Sequence, residues 1–110
     1  DFNRAVGFYE NVFGVKLTVY DCEEEKMACF PEDGSGFSPG AISWAKDFRP
    51  SKDGVLMSLN VEDIVATLDA VEANGGKVVI PVTKILAEGR GYFATFTDSE
   101  GNTLGLNSQK

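Results

Sequence analysis

Hydrophobic residues alternate with polar ones near the middle of the chain. Residues 55–61 read VLMSLNV, in which every odd-numbered position is apolar while Ser58 and Asn60 are polar. This period of two is typical of a strand, because successive side chains of a strand point to opposite faces of the sheet. We therefore expect the apolar set to pack against helices: Val55, Met57, Leu59 and Val61. The polar set should face the other way.

A helical period replaces the alternation directly after this strand. Asp63 can cap a helix over residues 63–74, since its carboxylate can accept hydrogen bonds from unpaired backbone N–H groups of the first turn. Apolar residues then recur at spacings of four and three and form one stripe: Ile64, Leu68 and Val71. Gly75 and Gly76 should end the helix, because glycine adopts the left-handed conformation readily. A second strand begins at residues 77–80, so the unit is strand, helix, strand.

The same helical pattern occurs once more, 62 positions earlier. The matching residues are Asp1, Phe2, Val6, Tyr9, Glu10 and Gly14, which correspond to Asp63, Ile64, Leu68, Val71, Glu72 and Gly76. A shared apolar stripe alone would carry little weight, because many helices have one. Here the cap, the stripe, the glutamate and the terminal glycine recur together, which favours a duplicated module. The first helix should span residues 1–13, with Phe13 completing its apolar face.

The remaining segments complete both modules. Five further strands are predicted, over residues 16–21, 26–30 and 41–46 before the boundary between the modules and over 92–97 and 103–107 after it. Residues 81–90 are expected to form a loop or an irregular segment. Residues 98–102 read DSEGN and should form a turn, because the side chain of Asp98 can accept hydrogen bonds from the turn and glycine tolerates a positive φ.

We interpret the chain as a single domain over residues 1–110, with module one over 1–50 and module two over 51–110. Module two reads strand, helix, strand, strand, strand. Module one lacks the opening strand of that series, so we expect about seven further residues before Asp1, the usual length of a strand.

Composition limits the partners and the compartment. The net charge of −7 argues against nucleic acid and against an anionic membrane surface as partners. A turn at residues 24–25 would place Cys29 opposite Tyr20 and not opposite Cys22, which disfavours a disulfide and predicts a cytoplasmic location. The chain contains no histidine, so a cysteine–histidine nucleophile is excluded.

Three stretches of the chain resemble the vicinal-oxygen-chelate superfamily, which includes glyoxalase I, bleomycin-resistance proteins and extradiol dioxygenases. They are residues 4–14, reading RAVGFYENVFG, residues 59–79, and residues 91–106, reading GYFATFTDSEGNTLGL. In the last stretch Ser99 replaces a proline that is usual in that family. The resemblance is to the small bacterial glyoxalase-like branch. It implies an α+β fold in which two βαβββ modules form a curved, cup-shaped mixed sheet with helices on the convex face, the first strand of module one being absent from this chain.

The resemblance also implies a ligand site inside the cup, which in some members holds a divalent metal. Metal ligands in that family come from the first and last strands of each module and are typically His, Gln or Glu. The corresponding positions of module two hold Leu56 and Gly105, and neither offers a side-chain donor. Module one offers Ser43, which is a poor ligand. We therefore expect neither a metal site nor a cofactor.

Small polar and aromatic residues are expected to line the cup. They are Trp44, Leu56, Ser58, Asn60, Phe93, Thr95, Gly105 and Asn107. For Trp44, simple packing within the protein is an equally good interpretation. Such a lining suits a small organic ligand.

Three classes of function fit this sequence. The first is a superfamily protein that binds a small organic ligand in the cup without the usual metal. The second is a divergent lyase, isomerase or dioxygenase related to lactoylglutathione lyase, with part of its site on the missing N-terminal strand. The third is an interaction module with a vestigial cup. A homodimer is expected, because an exposed sheet edge favours pairing. The identity of the ligand, and whether any reaction is catalysed, stay open at this point.

Overall fold

The computed structural model describes residues 1–109 and divides the chain into two compact units. Unit 1 spans Asp1–Arg49 and unit 2 spans Pro50–Lys110. Each unit has one helix and a β-sheet of its own, so the predicted α+β class is confirmed. Within residues 1–109, no helix is long and apolar enough to cross a membrane.

Helix α1 of unit 1 spans Phe2–Phe13, as the sequence predicts. The Asp1 side chain accepts a hydrogen bond from the backbone N–H of Arg4 at 3.0 Å, which satisfies one donor of the first turn. Gly14 follows in the left-handed conformation, with a φ of 63°. Glu10 Oε2 accepts the backbone N–H of Leu17 at 2.8 Å, and this bond ties the helix to the chain that enters the sheet.

The buried face of α1 is wider than the predicted stripe. Its buried residues are Phe2, Ala5, Phe8, Tyr9 and Val12. Val6 and Phe13, which the pattern placed on this face, lie at its margin and are half-buried. The reason is that Ala5, Phe8 and Val12 form a second stripe beside Phe2 and Tyr9, which moves the centre of the contact away from Val6.

The sheet of unit 1 has three strands, β1 (Thr18–Asp21), β2 (Glu25–Cys29) and β3 (Ala41–Ala45). They are antiparallel and lie in the order β1-β2-β3. The predicted register is wrong, because Cys29 lies opposite Thr18 and not opposite Tyr20. The turn is centred one residue earlier than expected, since the backbone N–H of Cys22 donates to the carbonyl of Glu25 at 3.1 Å. Cys22 and Cys29 are both free thiols.

The elements of unit 2 are β4 (Met57–Asn60), α2 (Ile64–Ala73), β5 (Lys77–Lys84), β6 (Tyr92–Thr97) and β7 (Thr103–Ser108). This order of strand, helix and three strands is the βαβββ module that the sequence predicts. The strand order is β4-β7-β6-β5. Strand β4 is parallel to β7 and the other pairs are antiparallel, so this sheet is mixed.

Strand β5 is longer than predicted. The sequence pattern ended it at Ile80 because Pro81 follows, yet the strand continues to Lys84. Proline lacks a backbone donor and is tolerated on edge strands and at bulges. Strand β5 lies at the edge of the sheet, and its register with β6 shifts between Ile80 and Thr83. Residues 81–84 thus extend the strand with an irregular register, where the sequence predicted the start of a loop or an irregular segment.

The core of unit 2 lies between α2 and one face of the sheet. Its most buried side chains are Ile64, Leu68 and Val71 from the helix and Ala94, Phe96 and Leu106 from β6 and β7. Val55 and Met57 were expected to pack against helices, but they are 89% and 62% exposed, so the prediction is wrong for these two. Helix α2 packs mainly on β5, β6 and β7. Met57 lies on the edge strand β4 and Val55 precedes it, so both lie beyond the area that the helix covers.

The turn between β6 and β7 is built as the sequence predicts. Asp98 is buried, and its Oδ1 accepts the backbone N–H groups of Glu100 and Asn102, both at 2.9 Å. Gly101 has a φ of 91°. The side chain of Asn102 in turn accepts the backbone N–H of Ser51 at 2.8 Å, which fixes the start of unit 2 to this turn.

Candidate functional site

The strand register brings six of the eight predicted ligand-binding residues onto one face of the unit 2 sheet. They are Ser58 and Asn60 on β4, Gly105 and Asn107 on β7, and Phe93 and Thr95 on β6. Direct cross-strand partners share a face, and so do residues two positions apart on one strand. The opposite face carries the fully buried residues Ala94, Phe96 and Leu106. We call the face with the six predicted residues the open face.

Two rows of cross-strand neighbours make up the open face. The first row runs from β4 to β5 through Asn60, Asn107, Phe93 and Thr83. The second row runs in the same direction through Ser58, Gly105, Thr95 and Ile80. The sequence pattern missed Thr83 and Ile80 as members of this face. They lie three positions apart across the register shift in β5, so strict alternation does not place them together.

The first row presents two adjacent carboxamides beside an aromatic ring. Asn60 is exposed, and Asn107 and Phe93 are half-buried. Among the described residues, the side-chain amides of Asn60 and Asn107 have no hydrogen-bond partner, and the Phe93 ring has no aromatic partner. These three groups are therefore available to a ligand.

Some residues of the second row already make contacts within the protein. Thr95 is buried, and its Oγ1 accepts the backbone N–H of Ile80 at 3.1 Å, so this hydroxyl supports the irregular edge strand. A Cβ atom added to Gly105 would lie 2.5 Å from Ser58 Oγ and 3.7 Å from Leu56 Cδ2. Ser58 thus fills the space beside Gly105, and Leu56, which precedes β4, lies next to the same position.

Trp44 lies in unit 1, and its environment differs from that of the open face. It is the cross-strand partner of Lys26 and shares a face with the fully buried Ala28, whereas Ser43 lies on the other face of that sheet. The Lys26 Nζ atom lies 5.3 Å from the centroid of the Trp44 ring and 3.9 Å from Asp21 Oδ1. This environment favours the packing interpretation of Trp44.

The open face carries no formal charge across its two rows, all eight residues of which are described. Lys77 is the cross-strand partner of Thr97 and lies at the end of the sheet, beyond the rows. A lowered pKa occurs elsewhere, at Asp33 in the loop before β3. The pKa of that carboxyl falls because the side chain and the backbone N–H of Ser35 donate hydrogen bonds to it.

The donor set of the open face does not fit a divalent metal of the kind the superfamily uses. Such metals are typically held by His and Glu side chains, with Gln as a further ligand, and the two rows offer neither an imidazole nor a carboxylate. Within residues 1–109, no three His, Cys, Asp or Glu side chains form a group able to hold a metal ion. A carboxylate side chain at Gly105 would also have to displace the hydroxyl of Ser58. The amides and hydroxyls of the two rows are neutral and bind divalent cations weakly.

Comparison with protein families and curated proteins gives a consistent result. The model of the Glyoxalase/Bleomycin resistance protein/Dioxygenase superfamily matches residues 1–106. A glyoxylase-like domain-containing protein of Didymella fabae is 35% identical over 107 residues, which cover 94% of this chain and 81% of that protein.

Solved structures share the fold. Glyoxalase I from Zea mays superposes with a TM-score of 0.77 at 19% identity, covering 99% of this chain and 42% of the maize chain. This chain therefore spans less than half the length of that enzyme. A superfamily enzyme from Burkholderia phytofirmans gives a TM-score of 0.70 at 16% identity, covering 100% of this chain and 91% of the other. The fosfomycin resistance protein FosX from Listeria monocytogenes superposes with a TM-score of 0.68 at 16% identity, covering 98% of this chain and 84% of the FosX chain.

Proposed function

Because this chain belongs to the glyoxalase/bleomycin resistance protein/dioxygenase superfamily, we propose that it binds a small organic ligand on the open face without the usual superfamily metal. The observation that carries the proposal is the first row of that face. Asn60 and Asn107 offer amide groups that are not used within the described chain, and Phe93 offers an apolar ring beside them. A few polar groups next to an aromatic surface are typical of small-molecule sites.

The metal-free part of the proposal rests on donor chemistry. Leu56 has no lone pair to donate, and Gly105 has no side chain and is flanked by Ser58. A divalent cation placed on this face would lose part of its water shell and gain only neutral oxygens, which is unfavourable. A divergent lyase, isomerase or dioxygenase is the weaker candidate, because such chemistry in this superfamily relies on the metal.

Assembly and location are part of the same proposal. We expect a homodimer, since β4 forms one edge of its sheet and carries the exposed side chain of Met57. The two free thiols support a reducing, cytoplasmic environment. Light scattering tests the first expectation, and a mass of about 12 kDa at high protein concentration would count against the dimer.

The experiment that tests ligand binding is an NMR screen of isotope-labelled protein against a library of small organic fragments of mixed charge. The expected result is that shifts of backbone and side-chain amide resonances cluster at Ser58, Asn60, Phe93 and Asn107. Asn60→Ala should weaken the hits on this face. Asn11→Ala is a matched control, because Asn11 is an exposed asparagine on α1.

Two results would contradict the proposed site. One is a screen in which the hits cluster elsewhere on the protein. The other is a set of hits whose affinity falls equally in Asn60→Ala and Asn11→Ala, which would mean that the open face does not bind them.

A further inference from the structure

The polar groups of the open face also define the chemical class of its ligand, an inference that rests on the proposed function. In the first row, Asn60 and Asn107 are direct cross-strand partners on parallel strands. Their side chains are therefore neighbours, and each carboxamide has one acceptor oxygen and two donor hydrogens. Together they present donors and acceptors side by side, which is the complement of an amide, a urea or a related group in the ligand.

An aromatic surface continues the same row. Phe93 is the cross-strand partner of Asn107 on β6, and its half-buried ring makes no aromatic contact within the described residues. A flat or apolar part of the ligand can pack on this ring while its amide-like group reaches the two asparagines. Thr95 adds little to recognition, because its side chain is buried and its hydroxyl oxygen accepts the Ile80 backbone N–H.

The charge on and around the open face also restricts the class of ligand. An ionised ligand group that leaves water needs an opposite charge or a dense set of hydrogen bonds, and neither row of the open face contains a charged side chain. An anion is further opposed by the net charge of −7 on the chain. A cation gains long-range attraction from that charge but finds no carboxylate in the two rows.

We infer that the ligand of this face is an uncharged organic molecule that pairs an amide-like group with Asn60 and Asn107 and packs a planar or apolar group on Phe93. This choice separates the protein from superfamily chemistry that depends on a metal. The specificity comes from neutral hydrogen bonding in place of charge.

Three isosteric probes test this inference: benzamide, benzoate and benzamidine, which are neutral, anionic and cationic at neutral pH. Each is titrated into isotope-labelled protein while amide resonances are followed by NMR. Benzamide should shift the side-chain amide signals of Asn60 and Asn107, and its affinity should exceed that of both charged probes. Asn60→Ala should weaken benzamide binding roughly 2- to 10-fold, the range for one net hydrogen bond, and Asn11→Ala should leave it unchanged.

A charge substitution gives the complementary test. Asn107→Asp keeps the shape of the side chain and places a carboxylate on the first row, so the preference should change from benzamide to benzamidine. Retention of the benzamide preference in this variant would contradict the assigned contact.

The inference is overturned if benzoate or benzamidine shifts the open-face resonances of the unmodified protein as strongly as benzamide does, or if benzamide shifts none of them. Its failure is distinguishable from failure of the proposed function. Charged fragments that bind the open face would leave the proposed site intact and remove only the neutral-ligand assignment. Failure of every fragment to bind there would remove both.

Discussion

Units 1 and 2 begin on the same structural plan. Each helix starts at an aspartate whose side chain accepts a backbone N–H three residues later, at 3.0 Å in both cases. Each helix also carries a glutamate that accepts a backbone N–H near the start of the following strand. The distance is 2.8 Å for Glu10 and 3.4 Å for Glu72. The repeated residues of the sequence are therefore the ones that fix the helix to the chain around it.

The closing strands of the two units differ. Ser43 and Trp44 in unit 1 lie 62 positions before Gly105 and Leu106 in unit 2. Leu106 is fully buried, whereas Trp44 is 38% exposed beside Lys26. Strand β7 lies between β4 and β6, while β3 is an edge strand in the described part of unit 1. The repeat thus preserves the helix caps and the hydrogen bonds that follow each helix, while the surface residues of the closing strands differ between the two units.

The largest expected effect compares equivalent positions of the two helices. Leu68 is buried in unit 2, and the matching Val6 in unit 1 is half-buried. Leu68→Ala should lower the free energy of unfolding by roughly 2–5 kcal/mol, the range for a buried leucine. Val6→Ala should lower it by about 1 kcal/mol or less, because less apolar surface is buried there. Denaturant unfolding measures both, and a loss below about 1 kcal/mol for Leu68→Ala would show that the stripe of α2 is not the core contact.

The second-largest loss of stability is expected at the turn around Asp98 in unit 2. Unit 1 has a long loop between β2 and β3 in place of this turn. Asp98→Ala leaves the backbone N–H groups of Glu100 and Asn102 without their acceptor, so it should lower the unfolding free energy by about 1.5–3 kcal/mol. Asp98→Asn retains an acceptor oxygen and should lose less. Equal losses in the two variants would mean that packing around Asp98, and not its hydrogen bonds, stabilises the turn.

The smallest expected effect on stability comes from comparing the two repeated glutamates, Glu10 and Glu72. Glu10→Ala should lower the unfolding free energy by about 1 kcal/mol, because its bond to Leu17 is short and part-buried. Glu72→Ala should change it by about 0.5 kcal/mol or less, because its bond to Val78 is longer and exposed. A larger loss for Glu72→Ala would reverse the order that the geometry indicates.

Local signals in the sequence explain most of the fold. An aspartate cap, an apolar stripe and a glycine stop predict both helices, and the DSEGN turn follows from the hydrogen-bonding capacity of Asp98. The predictions that were wrong depend on contacts between residues far apart in the sequence. The extension of β5 past Pro81 depends on β5 being an edge strand, and the exposure of Val55 and Met57 depends on how far α2 reaches across the sheet. Neither property is visible in the residues themselves.

Alternation was sufficient to group Ser58 with Asn60 on β4 and Gly105 with Asn107 on β7, because a strand repeats every two residues. It was not sufficient to assign roles within the open face. The hydroxyl of Thr95 accepts the backbone N–H of Ile80. This contact depends on the register of β5, which alternation does not predict. The two amides of the first row became neighbours only through the parallel pairing of β4 and β7.

The most direct test of the central claim, a ligand site without the superfamily metal, is metal analysis and calorimetric titration of purified full-length protein with Ni²⁺, Zn²⁺, Mn²⁺ and Fe²⁺. The same samples are assayed for isomerisation of the hemithioacetal of methylglyoxal and glutathione. We predict no stoichiometric metal on the open face and no turnover. One metal ion bound per chain by metal analysis or calorimetry, or turnover that a chelator abolishes, would contradict the account and favour the metal-dependent enzyme.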